Sequence, residues 1–176
     1  MGSNTGTVTN CFAVGSVTGG FANVGGVVGD NRGAATASNC IALNQTVTIN
    51  NAFTKKNSGS TPNAGEALDR IQIGRVVGGN ELFIVQPTNV PPHNVYGTTD
   101  NNYAWDGLAL YSGASVFSPA LDDRDGESIT AAEVKTQSAW TAAGFGFGMD
   151  DPWTWTGTCL PSLHGEEIAW PDYLDN

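Results

Sequence analysis

Between residues 6 and 50 apolar and polar positions alternate in short groups: Val8, then Cys11 and Ala13, then Val17, then Val24, Val27 and Val28, each closed by Gly or Asn. A period of two is the strand period. Runs this brief, punctuated by Gly25-Gly26, Gly29-Asp30-Asn31 and Arg32-Gly33, predict short strands joined by tight turns that need positive φ. The pattern also recurs. Asn10-Cys11-Phe12-Ala13 returns 29 residues later as Asn39-Cys40-Ile41-Ala42 and again as Asn101-Asn102-Tyr103-Ala104, while Val27-Val28-Gly29-Asp30-Asn31 returns as Val76-Val77-Gly78-Gly79-Asn80. Self-similarity at 20 to 50 residues marks a stacked architecture in which one unit buries its apolar face only against the next. The expected fold is mainly all-β: a short right-handed β-helix or β-solenoid with a small helix-containing C-terminal cap.

Two stretches interrupt the pattern. Residues 51–70 bring Lys55-Lys56, Ser58-Gly59-Ser60 and Pro62-Asn63-Ala64-Gly65, and residues 86–99 contain Pro87, Pro91 and Pro92; both read as excursions between coils, because proline cannot donate to a sheet ladder. The repeats are expected over 1–120. From 121 to 176 the character changes. Thr130-Ala131-Ala132-Glu133 has the form of a capping box, predicting one helix over about 131–142 that stops before Gly144, with Val134, Ser138 or Trp140 inward and an acidic tail beyond. This segment is expected to close the open end of the stack, since uncovered strand edges invite chain-to-chain pairing.

Composition narrows the function classes. The chain has 176 residues, 40% of them apolar, with 17 Asp and Glu against seven Lys and Arg and a formal charge of -10. It is long and apolar enough to bury a core, and its charge repels phosphate backbones, so nucleic acid is not an expected partner. No run approaches the roughly 18 apolar residues of a membrane-spanning helix, so direct membrane insertion is not expected. The N-terminus enters a repeat almost at once and has no basic-then-apolar leader, which suggests a C-terminal piece of a longer exported protein, its first coil covered by neighbouring repeats. Cys11, Cys40 and Cys159 form neither an even disulfide framework nor a Cys-x-x-Cys pair. Cys11 and Cys40 share one repeat position, about 4.8 Å apart if the strands stack, as an inward ladder or as a bridge. Reduced thiols are favoured, because cysteine behaves as a small hydrophobe and Asn102 replaces it in the third copy.

The stretch from Gly25 to Gly33, followed by Asn39-Cys40-Ile41-Ala42, resembles the GLUG repeat of large bacterial surface proteins, adhesins among them. The segment from Gly126 to Trp140, Gly144, Trp153 and Leu160-Pro161-Ser162-Leu163 is similar to the closing module that follows such repeats in gut Bacteroidetes proteins. The resemblance implies a secreted or cell-surface setting and a repetitive β fold, and transfers no catalytic residues. Some proteins with this repeat are surface metallopeptidases whose catalytic domain lies elsewhere in their chains. The repeat positions that carry it here are Asn10, Cys11, Ala13, Gly29, Asn31, Asn39, Cys40, Ala42, Gly78, Asn80, Asn101 and Ala104.

Candidate chemistry is sparse. A zinc peptidase needs His-Glu-x-x-His on a helix, whereas His93 and His164 stand 71 residues apart. No Gly-x-Ser-x-Gly elbow is present. Asp122, Asp123, Asp125 and Glu127 lie on one acidic turn; carboxylates on one turn suit a hard cation better than the opposed pair of a glycosidase. Calcium is therefore the one cofactor candidate, although the EF-hand spacing fails, and a solvated turn leading into a capped helix is the plainer reading. Trp153 and Trp155 alternate on one strand and so share a face, offering a glycan platform or, more often, core packing. Thr7-Val8-Thr9 and Thr46-Val47-Thr48 do not continue into a third copy, which argues against an ice-binding face. The expected function is non-catalytic adhesion or scaffolding, towards a host glycan or extracellular protein. A carbohydrate-binding module is the alternative, and a polysaccharide-cleaving enzyme ranks third.

Overall fold

The structure is a computed structural model and describes residues 2–20, 23–49, 73–80, 83–85, 93–111, 120–163 and 165–175. It is mainly β. Three successive tiers lie on one another in parallel register. The first holds β1 (Ser3–Asn4), β2 (Thr7–Thr9) and β3 (Phe12–Gly19); the second holds β4 (Val24–Gly25), β5 (Val28–Asn31), β6 (Thr36–Ser38) and β7 (Ile41–Ile49). The third holds β8 (Ile73–Gly74), β9 (Val77–Gly79), β10 (Phe83–Val85), β11 (His93–Val95), β12 (Thr98–Asp100), β13 (Tyr103–Trp105) and β14 (Ala109–Tyr111), and β15 (Glu127–Ile129) begins a fourth. The sheets run β1-β5-β9, β2-β6-β12, β4-β8 and β3-β7-β13-β15, with β14 also on β7. All these pairings are parallel and all the sheets are open. The excursion expected at 51–70 lies outside the described residues. That at 86–99 is narrower than expected: β11 returns antiparallel on β10, and Thr98 and Thr99 already belong to β12, paired with Thr36 and Ala37.

The repeat motif sets the register. Phe12, Ile41, Tyr103 and Glu127 are stacked partners, as are Ala13, Ala42, Ala104 and Ser128. Asn10, Asn39 and Asn101 precede these strands at φ 51, 53 and 48°, the left-handed region that asparagine tolerates better than other side-chain-bearing residues. Each turns the chain from the sheet containing β2 and β6 into the sheet containing β3 and β7. Their amides also tie the tiers together. Asn101 Nδ2 donates to Asn39 Oδ1 at 2.8 Å and to Ala142 O at 3.0 Å, and Asn10 Nδ2 donates to Gly144 O. A second asparagine pair, Asn4 and Asn31, bonds across tiers at 2.8 Å, and Asn31 Nδ2 reaches Thr98 O at 2.9 Å. The Val27-Val28-Gly29 and Val76-Val77-Gly78 blocks coincide, with Val28 on Val77. Glycine is required beside them, because a Cβ at Gly25 would meet Val28 O at 2.1 Å and Gly78 N at 2.4 Å.

Alternation then produces two cores. Inward side chains Val8, Ala37, Cys40, Ala42, Ala104 and Val47 pack with Val27, Val28, Val76 and Val77 between the sheets. Outward side chains of the same strands, Ile41, Leu43 and Ile129 with Phe12, Tyr103 and Trp105, pack against Val134, Trp140, Ala143, Phe145, Leu160 and Leu174 of the C-terminal segment. That segment thus lies along the flank of the sheet across every tier, from Phe12 in the first to Ile129 in the fourth. The far end of the β1-β5-β9 sheet is met by the acidic turn instead: Arg124 O accepts the Val76 and Val77 N–H groups, and Arg124 Nη1 donates to Gly78 O at 2.8 Å.

The single helix expected over 131–142 is two, α1 (Ala131–Val134) and α2 (Gln137–Ala142), broken at Lys135 and Thr136. Burial explains the break. In one continuous helix six residues at about 100° each would set Val134 and Trp140 about 120° apart, yet both enter the same core, while Ser138 is exposed. Trp140 Nε1 donates to Val134 O at 2.6 Å, satisfying the carbonyl that the break releases. The expected capping box is formed: Thr130 Oγ1 accepts Glu133 N–H, and Glu133 Oε2 accepts Thr130 N–H at 2.9 Å. The predicted stop at Gly144 (φ 84°) is a Schellman motif, with Phe145 N–H on Trp140 O, Gly144 N–H on Thr141 O, and the Phe145 ring 5.1 Å from Trp140. The hairpin β16 (Trp153–Thr154) with β17 (Ser162–Leu163) and a 3-10 turn at Asp172–Leu174 complete the segment.

Asn39→Val, which cannot hold φ 53° without strain, is expected to lower unfolding stability by about 2 kcal/mol. Asn39→Gly, which keeps the turn and loses only the amide bonds, costs about half as much; urea unfolding of both variants measures the difference.

Candidate functional site

The acidic turn was the sequence's candidate cation site, and its geometry is committed elsewhere. Asp122 is exposed, Asp123 half-exposed and Asp125 buried. Asp125 Oδ1 accepts the backbone N–H of Arg75 at 3.0 Å, and the Arg75 side chain wraps the same turn: Nε on Asp125 O at 3.0 Å, Nη2 on Gly126 O at 2.6 Å and Nη1 on Ser128 Oγ at 3.1 Å. Arg75 is 1% exposed. Burial pushes its guanidinium below the ordinary value, while Asp125, Glu127 and Asp106 pull it back. Among the described residues, Asp122, Asp123, Asp125 and Glu127 included, no three His, Cys, Asp or Glu side chains converge to hold a metal ion. The turn is a clamp closed around a buried cation supplied by the chain itself. Arg75 escaped the sequence reading because its partners lie about fifty residues away.

Trp153 and Trp155 turn to the same side, as their alternation predicts, and that side is the outer core. Trp153 stands 5.7 Å from Phe12 and 5.0 Å from Phe145; Trp155 stands 6.5 Å from Trp140, 5.9 Å from Phe147 and 6.1 Å from Trp170. Both are half-buried, and such pairs contribute roughly 0.5–1.5 kcal/mol each beyond area burial. Trp105 packs on Tyr173 at 5.2 Å. Tyr173 pins a bulge: its hydroxyl donates to Leu43 O at 2.6 Å and accepts Gly15 N–H at 3.0 Å, where the β3–β7 register shifts. Beside that shift Asn44 is buried, with neither amide atom bonded among the described residues.

The cysteines are unbridged. Cys40 is buried and Cys11 half-buried, their thiols donating to Ser38 O at 3.1 Å and Thr9 O at 3.2 Å, an identical contact one tier apart. Asn102, at the same position in the third tier, accepts Cys40 N–H at 3.0 Å and donates to Ala37 O at 2.9 Å. Burial pushes the Cys11 thiol up and the Cys40 thiol up to about 12. Such thiols stay protonated and are poor nucleophiles. The side chains of His93 and His164 lie outside the described residues.

Among the described residues a concave feature lies between β15 and the two helices. Tyr103, Glu127, Ser128 and Ile129 line one wall of a groove of about 370 Å³, and Glu133, Thr136 and Ser138 line the other. Burial and the Glu127 charge both push the Tyr103 phenol up, so it stays a hydrogen-bond donor. The Glu133 carboxyl is held below its ordinary value by the Thr130 backbone N–H and hydroxyl. Sequence reasoning missed this groove, since Tyr103 and Glu127 are neighbours only through tier stacking and Glu133 was legible only as a cap.

Two outcomes test the buried groups. Arg75→Met leaves the Asp125 and Gly126 carbonyls and Ser128 Oγ without their side-chain donor and removes the cation beside the buried Asp125, and is expected to cost about 3 kcal/mol in urea unfolding. Cys40 has a raised thiol pKa in the fold, so its stabilisation is complete below the ordinary value of 9.0 and is lost as pH climbs toward about 12. Unfolding measured across that window falls by up to about 1.4 kcal/mol per pH unit from this group, and Cys40→Ala removes that component.

Among the described residues, no helix is long and apolar enough to cross a membrane. Comparison of the chain with protein families, with curated proteins and with solved structures finds no match.

Proposed function

We propose that the tiers are coils of a short right-handed β-solenoid, and that the protein is a non-catalytic scaffolding or adhesion module of the GLUG-repeat kind working outside the cell. The observation that carries this reading is the stacked register of Phe12, Ile41, Tyr103 and Glu127 beneath a three-copy asparagine corner: a motif spent on tier-to-tier bonds and on a two-sided sheet is a motif for building length and stiffness. Right-handedness follows from the strong preference of parallel crossovers. The first tier's β1, β2 and β3 end their sheets, an edge suited to a further repeat in the same parallel register. The outward surface of β2, β6 and β12 is a ladder of small hydroxyls, with Thr7, Thr36 and Thr98 stacked and Thr36 Oγ1 3.2 Å from Thr98 Oγ1.

A polysaccharide-cleaving reading would take Glu127 and Glu133 as its opposed acids. It needs one of them held protonated; Glu133 is bonded to Thr130 and biased toward its anion, which suits a fixed negative charge. A glycan platform on Trp153 and Trp155 would have to use only the edges left outside the aromatic cluster.

The test is an array of glycans and extracellular-matrix proteins probed with the folded chain, with and without calcium, beside a turnover assay on polysaccharides. Calcium-independent binding to a matrix protein, or silence from a folded sample, agrees with a recognition or spacer module. Turnover overturns the non-catalytic reading, and glycan binding lost in Trp155→Ala without loss of fold replaces it with the carbohydrate-binding one.

A further inference from the structure

We propose that the groove between β15 and the two helices is a docking site for an extended peptide segment carrying arginine or lysine, which adds to β15 as a further strand. Three observations place this partner. First, β15 ends its sheet among the described residues. Its Glu127 N–H and Ile129 C=O face β13, bonded to Asn102 O and Asp106 N–H, so in a parallel ladder the intervening Ser128 N–H and C=O point the other way, toward an incoming strand. Second, Ser128 lines the groove between Glu127 and Ile129, so backbone pairing and side-chain reading occur in one place. Third, the charge is of one sign: Glu127 on the strand wall and Glu133 on the helix wall are exposed carboxylates, and among the described residues no basic side chain lines the groove. Glu133 is held as its anion by Thr130. A long cationic side chain can lay its alkyl stem along Ile129 and Ala139, set its charged head between the two carboxylates, and face the Tyr103 ring.

The rest of the molecule agrees with this choice. A chain of formal charge -10 attracts basic segments from a distance, while the capping box holds the helix wall rigid at Thr130 and Glu133. The inference goes beyond the scaffolding reading and does not require a solenoid: it needs only a free strand edge and an anionic wall.

The experiment is fluorescence anisotropy of the full chain with a labelled eight-residue peptide alternating arginine with threonine, against its glutamate-threonine counterpart and a backbone N-methylated arginine peptide. The expected result is saturable binding of the arginine peptide that weakens with added salt, no binding of the acidic peptide, and at least about tenfold weaker binding by the N-methylated form. Glu127→Gln with Glu133→Gln is expected to weaken binding at least about tenfold and to flatten the salt dependence. Glutamine at 133 keeps the capping box, so circular dichroism should match the parent, and the amide resonance of Ser128 should shift on titration in the parent alone. Absence of binding overturns the proposal, as does equal binding by the doubly substituted chain. Equal binding of the N-methylated peptide removes strand addition, and competition by free arginine amide as effective as the peptide itself replaces the extended segment with a small cation.

Discussion

The sheet of β3, β7, β13 and β15 has to be buried on both faces, and the rest of the molecule is arranged around that demand. Its strands and the residues leading into them carry small inward side chains, Cys11, Cys40, Ala13, Ala42 and Ala104, which fit a narrow interior against paired valines, and large outward ones, Phe12, Ile41, Leu43, Tyr103 and Trp105. Stacking satisfies the inward face, because each tier covers the next, and does nothing for the outward face. Each outward side chain buried from water contributes roughly 1.5–3 kcal/mol, and the net stability of a whole domain is about 5–15 kcal/mol. A bare stack would forgo a share comparable with its entire margin. The C-terminal segment, with Trp140 and Phe145 at its centre, is therefore as much a part of the sheet's core as the strands are.

That dependence explains what the sequence disclosed and what it withheld. Asn10, Asn39 and Asn101 were legible because a left-handed corner is a local demand that few residues meet, and it recurs with the motif. The capping box at Thr130 and the stop at Gly144 were legible for the same reason: helix ends are written within four or five residues. The outward members of the same motif, Phe12, Ile41 and Tyr103, gave no comparable signal. Period two says that they face away from Cys and Ala, and nothing nearby says that a second core waits there, since their partners lie more than twenty and up to 141 residues downstream. The C-terminal segment was expected over the end of the stack; Arg124 and β15 lie there, while the residues beyond them pack along the flank. The break between α1 and α2 was hidden likewise, because Thr136 is neither Gly nor Pro and becomes a break only when Val134 and Trp140 compete for one surface.

The candidate site shows the same division between local and assembled information. Four acids on one turn are visible in any reading, but their meaning depends on Arg75, a lone charge inside a valine-rich repeat whose guanidinium meets the turn only after the third tier is laid down. Glu127 is read locally as one more acid of that turn, whereas its stacked position over Tyr103 makes it part of a wall. Sequence alone supplies the inventory of charges here, and tier stacking decides which of them are neutralised inside and which face outward.

The placement of Tyr173 sets a schedule for folding. Its hydroxyl bonds Gly15 and Leu43, and the Asn10 amide bonds Gly144, so the first tier acquires its lateral cover from residues 134 to 158 positions later in the chain. Loops of that size close slowly. A chain emerging N-terminus first can pair its early tiers as they appear, yet their aromatic flank stays wet until residues 140–173 arrive. The molecule is thus a stack in its geometry and late-locking in its folding, the flank of its early tiers open until the segment that covers it has followed.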